Sequence, residues 1–161
     1  MLGRTIMQAQ LHEMLSIWGD VPYTGASTIW KTSNYADAKA KDVFDSDVET
    51  YKTILKDLKE VGDYFAAGNL NATGLASLKR QDFTVADGKA DIWQRYVNSL
   101  RLRIALHLAT HGECVSDAKA AIKEILEIPS TYPLIDDNSQ NQGVAADTQT
   151  DEFNYGKSVS Q

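Results

Sequence analysis

Residues 91–110, DIWQRYVNSLRLRIALHLAT, carry the strongest helical pattern in the chain. The stretch contains neither Gly nor Pro, and Asp91 is a favourable N-cap for the residues that follow. Its main apolar residues recur at steps of three and four, as in one stripe of a helix: Trp93, Val97, Leu100, Ile104 and Leu108. Further apolar residues widen that stripe: Ile92, Tyr96, Leu102, Ala105, Leu106 and Ala109. Because such a helix is normally covered on several sides, we expect it to lie at the centre of the fold.

Two helices are predicted before this central one. The first spans residues 2–18, and its apolar residues are mostly three or four apart: Leu2, Ile6, Ala9, Leu11, Met14, Leu15 and Trp18. The second begins at Ser46, which is expected to form an S-x-x-E capping box with Glu49, and extends to about Ala67. Its amphipathic stripe consists of Val48, Tyr51, Ile54, Leu55, Leu58, Val61 and Phe65. The lysines and acids opposite that stripe are expected to face solvent.

One helix is predicted after the central one. Ser116 or Asp117 is expected to cap it, and Pro129 ends it. Its inward residues are predicted to be Ala118, Ala121, Ile122, Ile125 and Leu126. The short turn at residues 111–113 implies that this helix and the central one form an antiparallel pair. We therefore expect an all-α fold of antiparallel helical hairpins with long loops.

The segments between the helices differ in character. Gly19 and Pro22 end the first helix, and residues 25–35 are predicted to form an irregular loop. Residues 70–89 read as a long connection, in which Phe83 and Val85 could form a short extended piece. Residues 132–135, Tyr-Pro-Leu-Ile, form an apolar hook expected to dock on the last helix pair. Because the composition then becomes polar, we assign residues 1–135 to a helical scaffold domain and residues 136–161 to a polar tail or loop.

Composition excludes several classes of function. The chain has 161 residues and a formal net charge of −6, which argues against a general affinity for nucleic acid. The single cysteine, Cys114, rules out an internal disulfide. No apolar run approaches the roughly twenty residues of a membrane-spanning helix. The basic residues of the central stretch, Arg95, Arg101 and Arg103, are expected to pair with carboxylates.

Few residues suggest catalysis or metal binding. The sequence holds no phosphate-binding Gly loop, nucleophile elbow or paired-cysteine motif. His107, His111 and Cys114 have ligand chemistry that suits zinc, and a metal-dependent hydrolase is one hypothesis. The same residues have simpler explanations: His107 lies on a helix face, His111 favours the helix C-terminus electrostatically, and Cys114 is a small apolar filler. We therefore predict no metal and no cofactor. Asp42, Asp45 and Asp47 lack the glycine and terminal glutamate of an EF-hand, so capping and solvation explain them better.

Three aromatic residues near the first loop are the candidate ligand contacts. Trp30 and Tyr35 lie in the loop itself, and Tyr23 precedes it. One reading is that these rings pin the loop onto the helices. The other is that a ring offers its flat face to a sugar, with a polar tip in the case of tyrosine.

Four motifs, in order along most of the chain, resemble the SusD/RagB-like family. Residues 17–23, IWGDVPY, resemble the end of its first hallmark helix, and residues 51–60, YKTILKDLKE, resemble its Y-x-x-I-L-x-D-L-K-E helix. Residues 87–93, DGKADIW, followed by residues 97–105, VNSLRLRIA, are similar to its "D…W…ANSLRLR" segment. Residues 121–126, 133–135 and 138–141 resemble its "PLI…N…N" stretch. The sequence is identified on these motifs as a member of that family.

The resemblance implies both architecture and function. SusD-like proteins are outer-membrane lipoproteins built on helical hairpins of tetratricopeptide-like type. They capture glycans, or in some members peptides, and cover a SusC-type TonB-dependent transporter without acting as enzymes. The resemblance implies a surface-exposed location at the outer membrane, a glycan or oligosaccharide ligand and that transporter as partner. Family members are several times longer and carry a signal peptide and a lipidated cysteine, so we expect this chain to be an internal or truncated portion.

Besides the metal-dependent hydrolase, two functional hypotheses follow from the sequence. The first is glycan or nutrient binding in polysaccharide uptake, without catalysis, through Trp30, Tyr35 and Tyr23. The alternative is a helical protein-interaction or self-associating scaffold that binds no sugar, with a homo-oligomer as one form.

Overall fold

The computed structural model describes residues 1–36, 44–82, 84, 86–110 and 112–143. The chain contains the helices α1 (Leu2–Trp18), α2 (Thr28–Thr32), α3 (Asp47–Ala66), α4 (Ala72–Gln81), α5 (Ala90–Leu108) and α6 (Val115–Glu127), with 3₁₀ turns at Gly112–Cys114 and Asn138–Gln140. Apart from an isolated antiparallel bridge between Val21 and Asp45 and a single bridge residue at Thr84, the regular structure of these residues is helical. The predicted all-α class is therefore confirmed.

The long helices alternate in direction. Arg4 at the start of α1 contacts Glu60 late in α3, whereas the end of α1 lies at the start of α3 through the bridge between Val21 and Asp45. Helices α1 and α3 are thus antiparallel. A tight turn joins α5 to α6, and both pack on α3, so α3 and α5 lie between α1 and α6. This is an up-and-down arrangement of helical hairpins.

The central helix is covered as predicted. Helix α5 packs against α3 and α6 and more weakly against α1. The five residues of the main stripe are buried, with Val97, Ile104 and Leu108 fully so. The predicted widening holds only in part, because Ala105 is buried but Leu106 is 56% exposed. Fully burying such a side chain contributes about 1.5–3 kcal/mol, so this stripe is a main source of stability. Asp91 is wrong as the N-cap, because α5 begins at Ala90 and Lys89 occupies that position.

The inward face of α1 differs from the prediction. Ile6, Met14 and Trp18 are 50%, 40% and 66% exposed, whereas Thr5, Gln8 and His12 are buried together with Leu11 and Leu15. The reason is that α3 presents carboxylates at this interface. Gln8 donates to Asp57 at 2.6 Å, and Arg4 pairs with Asp57 and with Glu60. Asp57 therefore does not simply face solvent, and α1 carries only part of its predicted apolar stripe, Ile6, Met14 and Trp18, on the outside.

Helix α4 was not predicted and replaces half of the expected connection. Asn71 is its N-cap and accepts a hydrogen bond from the Gly74 amide at 2.8 Å. None of its residues is buried, although Leu78 packs on the core. A helix with so little apolar pattern leaves a weak trace in sequence. The expected extended piece at Phe83 and Val85 lies outside the described residues.

The turn after α4 is held by Asp82. Its carboxylate accepts bonds from the Thr84 hydroxyl at 2.6 Å, the Gly88 amide at 2.9 Å and the Trp93 indole at 2.7 Å. Burial acts to raise the pKa of Asp82, but the bonds from Thr84 and Trp93 outweigh it and hold the pKa below its ordinary value. Gly88 has φ +71°, and a Cβ there would lie 2.4 Å from the Lys79 Cα. The turn thus fixes where α5 begins.

The predicted hook docks on the last helix pair, as expected. Tyr132 is 4% exposed. Polar side chains of α5 receive the hook's backbone: Gln94 and Asn98 donate to the Thr131 and Pro133 carbonyls at 3.0 and 3.1 Å, and Arg95 donates to the Leu134 carbonyl at 2.6 Å. Ser99 accepts from the Ile135 amide at 2.9 Å. The polar positions of α5 are therefore structural.

Helix α6 confirms part of its prediction. Ala118, Ala121 and Ile125 are buried, but Leu126 is 57% exposed and was wrongly placed inward. Neither Ser116 nor Asp117 caps the helix, because the 3₁₀ turn runs directly into it and makes Cys114 the N-cap.

The expected arginine–carboxylate pairs are confirmed: Arg101–Glu124 at 2.6 Å, Arg103–Glu13 at 3.3 Å and Arg95–Asp136 at 3.6 Å. Each helix within the described ranges is too short or too polar to span a bilayer.

Candidate functional site

The candidate site is the aromatic loop, residues 19–36, which joins the end of α1 to the segment before α3. Gly19 ends α1 with φ +71° and donates its amide to the Leu15 carbonyl at 2.9 Å. A left-handed conformation is least costly for glycine, so the chain turns sharply away from the helix here. Val21, only 4% exposed, then anchors the loop in the core.

Asp20 and Asp45 fix the base of this loop. Asp20 accepts a hydrogen bond from the Asp47 amide at 2.9 Å, at the first turn of α3. Ser46 occupies the N-cap, but its side chain makes no capping bond, and Glu49 pairs with Lys52 at 2.8 Å. The predicted capping box is therefore wrong. A carboxylate from the loop caps the helix in its place, which ties the two segments together.

Asp45 forms the second tie. Its carboxylate accepts from the Tyr23 amide at 2.7 Å, the Thr24 amide at 2.7 Å and the Thr24 hydroxyl at 2.6 Å. The hydroxyl bond from Thr24, followed by the two amide bonds, lowers the pKa of Asp45. Its own amide donates to the Val21 carbonyl at 3.0 Å. This carboxylate serves the backbone of the loop, as the capping interpretation predicted, whereas Asp42 lies outside the described residues.

Short-range bonds order the tip of the loop. Ser27 has φ +65° and precedes the single turn of α2, and the Thr28 hydroxyl donates to the Gly25 carbonyl at 2.5 Å. Ser33, with φ +52°, follows α2. Positive φ is uncommon outside glycine, and two such serines on either side of one helical turn define a sharply folded tip. Sequence reasoning predicted an irregular loop and did not anticipate α2.

The loop directs two of its three candidate aromatics outward. Trp30 lies within α2 and is 89% exposed, and Tyr35 is 73% exposed. These rings therefore do not pin the loop onto the helices. Tyr23 is half-buried and packs against the core, so its ring serves the scaffold at least in part. All three candidate aromatics thus lie on one loop. The two exposed rings offer an apolar face, and each also has a polar group, the phenol of Tyr35 or the indole N–H of Trp30, that can hydrogen-bond.

The alternative metal cluster gains no support from the residues described. Cys114 is fully buried with its sulfur 3.8 Å from the Val48 carbonyl, and burial raises the pKa of its thiol. It behaves as the predicted apolar filler. His107 lies against His12, with ring centroids 5.5 Å apart, and His111 is outside the described residues. Across the described ranges, no group of three metal-ligating side chains comes together.

His12 is an unexpected buried polar group. It is 6% exposed, and its Nδ1 has no hydrogen-bond partner among the described residues. Burial, followed by the positive potential of His107, lowers the pKa of His12, so the neutral form is favoured. Its ring packs edge-on to Tyr51 with centroids 5.9 Å apart. The side chain therefore acts as part of the α1–α3 interface.

Comparison with known proteins identifies the family. The family model SusD-like, described as starch-binding associating with outer membrane, matches residues 2–158. The search of curated proteins and the search of solved structures gave no significant match. The match extends over nearly the whole chain and agrees with the helical hairpins described above. The chain belongs to the SusD-like family.

Proposed function

We propose that this chain captures glycans through the aromatic loop, with Trp30 as the principal contact and Tyr35 and Tyr23 as neighbours on the same loop. The observation that carries the proposal is the 89% exposure of Trp30 on a loop whose base is held by Asp20 and Asp45. A large ring left in water on an ordered segment is a typical sugar-stacking element, because its flat face matches the C–H face of a pyranose. The family's starch-binding description supports an α-glucan as ligand.

Capture without catalysis is part of the proposal. Glycoside hydrolysis requires two carboxyl groups about 5–10 Å apart across the scissile bond. The carboxylates of Asp20 and Asp45 accept backbone hydrogen bonds that fix the loop. They are therefore committed to structure, and the loop offers rings in place of an acid–base pair.

The family supports a proposal for location and partner. The SusD-like family is associated with the outer membrane. We propose that the chain works at the cell surface with a SusC-type TonB-dependent transporter in polysaccharide uptake. Isolation of the native protein from solubilised outer membranes should then recover such a transporter with it, and its consistent absence would contradict this partner.

The binding test is a calorimetric titration with maltoheptaose. We expect saturable binding that weakens about tenfold in Trp30→Ala, since loss of an aromatic contact costs on the order of 1 kcal/mol. Trp18→Ala is the matched control, because Trp18 is 66% exposed but lies at the end of α1. Chromatography should return the sugar uncleaved. Equal loss in both variants, or shortened sugar, would contradict the proposal.

A second function is favoured by the outer face of α1. Ile6, Met7, Met14, Ile17 and Trp18 are each at least 40% exposed on one helix. Exposed apolar patches of this kind are typical of interaction surfaces, and the occupant we consider is a second copy of the chain. Light scattering should then report a dimer that Ile6→Ser with Ile17→Ser dissociates. A monomer at all concentrations would leave glycan capture as the function.

A further inference from the structure

A groove with a positively charged lining runs between α3 and α6, away from the aromatic loop's candidate rings. We call it the cationic groove. Its volume is about 500 Å³. Cavities of roughly 300–1,000 Å³ are typical of small-molecule sites. Its cations are Lys52, Lys56 and Lys59 of α3 and Arg101 of α5.

The balance of charge in the groove is opposite to that of the chain. Four cations face two carboxylates, Asp117 and Glu124, whereas the whole chain has a net charge of −6. Lys56 forms no ion pair with a described residue. Among the described residues Lys52 pairs with Glu49 alone, whose side chain is 70% exposed, and such a pair is weak. The groove therefore keeps a positive potential that favours an anion.

Arg101 supplies buried charge at the groove. Its side chain is 5% exposed, and its Nη2 lies 2.6 Å from a Glu124 oxygen. Its Nε and Nη1 have no hydrogen-bond partner among the described residues. Lys59 shares the Glu124 carboxylate at 2.6 Å and also pairs with Asp63 at 3.3 Å, so the carboxylate of Arg101 is divided between two cations. A buried guanidinium with two unpaired donors is an unusual cost, and a nearby anion would reduce it.

The groove also offers features that suit a ring with hydroxyls. Leu55, Ala120 and Ala121 provide an apolar floor, and Asp117 and Glu124 provide hydrogen-bond acceptors. An acidic peptide and an acidic sugar would both meet repulsion from those two carboxylates, but the peptide would supply few hydroxyls to offset it. A uronic acid supplies hydroxyl donors, an apolar C–H face and a carboxylate on each ring. The lysines at positions 52, 56 and 59 lie about one helical turn apart and can meet successive carboxylates.

We propose that the cationic groove is a second carbohydrate site, selective for acidic oligosaccharides of the uronate class. In this arrangement Lys52 and Lys56 bind the sugar carboxylates. Arg101 and Lys59 set the potential at the floor, and Asp117 accepts from sugar hydroxyls. This site goes beyond the proposed glucan capture, because it involves none of the aromatic residues of the loop.

The test is a calorimetric titration of the full chain with trigalacturonate at low ionic strength, with maltotriose and hexaglutamate as comparison ligands. We expect trigalacturonate to bind and to bind about fivefold or more weakly to the double variant Lys52→Gln with Lys56→Gln. Lys119→Gln with Lys123→Gln is the matched control, because these lysines are exposed on α6 and do not line the groove. That control should retain affinity within twofold. Circular dichroism establishes that both variants are folded.

Several results would overturn the proposal. They are no binding of trigalacturonate, equal weakening in the two double variants, or tighter groove-dependent binding of hexaglutamate, which would indicate a peptide site. Trp30→Ala should leave trigalacturonate binding unchanged while it weakens maltoheptaose binding. The experiment can therefore contradict the groove proposal and the aromatic-loop proposal independently of each other.

Discussion

Replacement of Ile104 by Ala tests the covered position of α5 most sharply. Ile104 is fully buried in the middle of the central helix, so its replacement removes three carbon atoms from a site enclosed by α1, α3 and α6. Large-to-small changes of this kind cost about 2–5 kcal/mol. A domain of ordinary stability, about 5–15 kcal/mol, loses a large fraction of its folding free energy. At this chain length the melting temperature should fall by about 5–15 °C.

Leu106→Ala is the matched control, two residues along the same helix. Leu106 is 56% exposed, and its replacement should change the free energy of unfolding by no more than about 0.5 kcal/mol. Alanine is the best helix former, so neither change weakens α5 as an isolated helix. Urea unfolding followed by circular dichroism measures both, with unchanged m-values expected. Equal costs for the two variants, or a cost below about 1 kcal/mol for Ile104→Ala, would show that α5 is not enclosed.

Three further predictions concern local features. Glu124→Gln should lower the free energy of unfolding by about 1–3 kcal/mol in urea titrations, because it leaves Arg101 without its carboxylate partner; an unchanged midpoint would contradict that pairing. Gly88→Ala should destabilise the fold by more than about 1 kcal/mol, because Gly88 has φ +71° and lies close to the Lys79 backbone. Gly3→Ala, in open space within α1, should stabilise the fold by about 0.5–1 kcal/mol. Calorimetric melting that reverses this order would be inconsistent with the turn. Because the pKa of Asp45 is lowered in the folded state, its contribution to stability is present above the ordinary aspartate pKa and is lost as pH falls through the lower folded value. An NMR titration of the Thr24 amide should show this loss. A midpoint at or above the ordinary aspartate pKa would refute the bonds from the loop to Asp45.

The four long helices, α1, α3, α5 and α6, were the most predictable part of the fold, whereas the shorter α2 and α4 were missed. In α3 and α5, apolar residues at steps of three and four coincide with the buried faces, because those helices pack through apolar contacts. Helix α1 also has its predicted ends, but its predicted inward face was only partly right, because Leu11 and Leu15 are buried whereas Ile6, Met14 and Trp18 are exposed. Its buried Gln8 and its half-buried Arg4 meet carboxylates of α3, and such long-range pairs leave no periodic signal in α1 itself.

The candidate site was partly predictable. The motif around Gly19 and Asp20 located the end of α1, and the density of aromatics marked the following loop. Exposure of Trp30 could not be predicted, because the base of its loop is fixed by Asp45, which bonds to Tyr23 across 22 residues of the chain. The cationic groove also escaped sequence reasoning. The sequence predicted only that Arg101 pairs with a carboxylate. The packing of α3, α5 and α6 is what brings Arg101 beside Lys56 and Lys59.

The most direct test of glycan capture uses the indole N–H signals of the three tryptophans in a two-dimensional NMR titration with maltoheptaose. Trp30 is 89% exposed on the aromatic loop, whereas Trp93 is 4% exposed and bonded to Asp82. We predict that the Trp30 signal shifts in a saturable manner, that the Trp93 signal stays fixed, and that Trp30→Phe identifies the moving peak. An unmoved Trp30 signal at saturating sugar, or a shift confined to Trp18 or Trp93, would contradict the account.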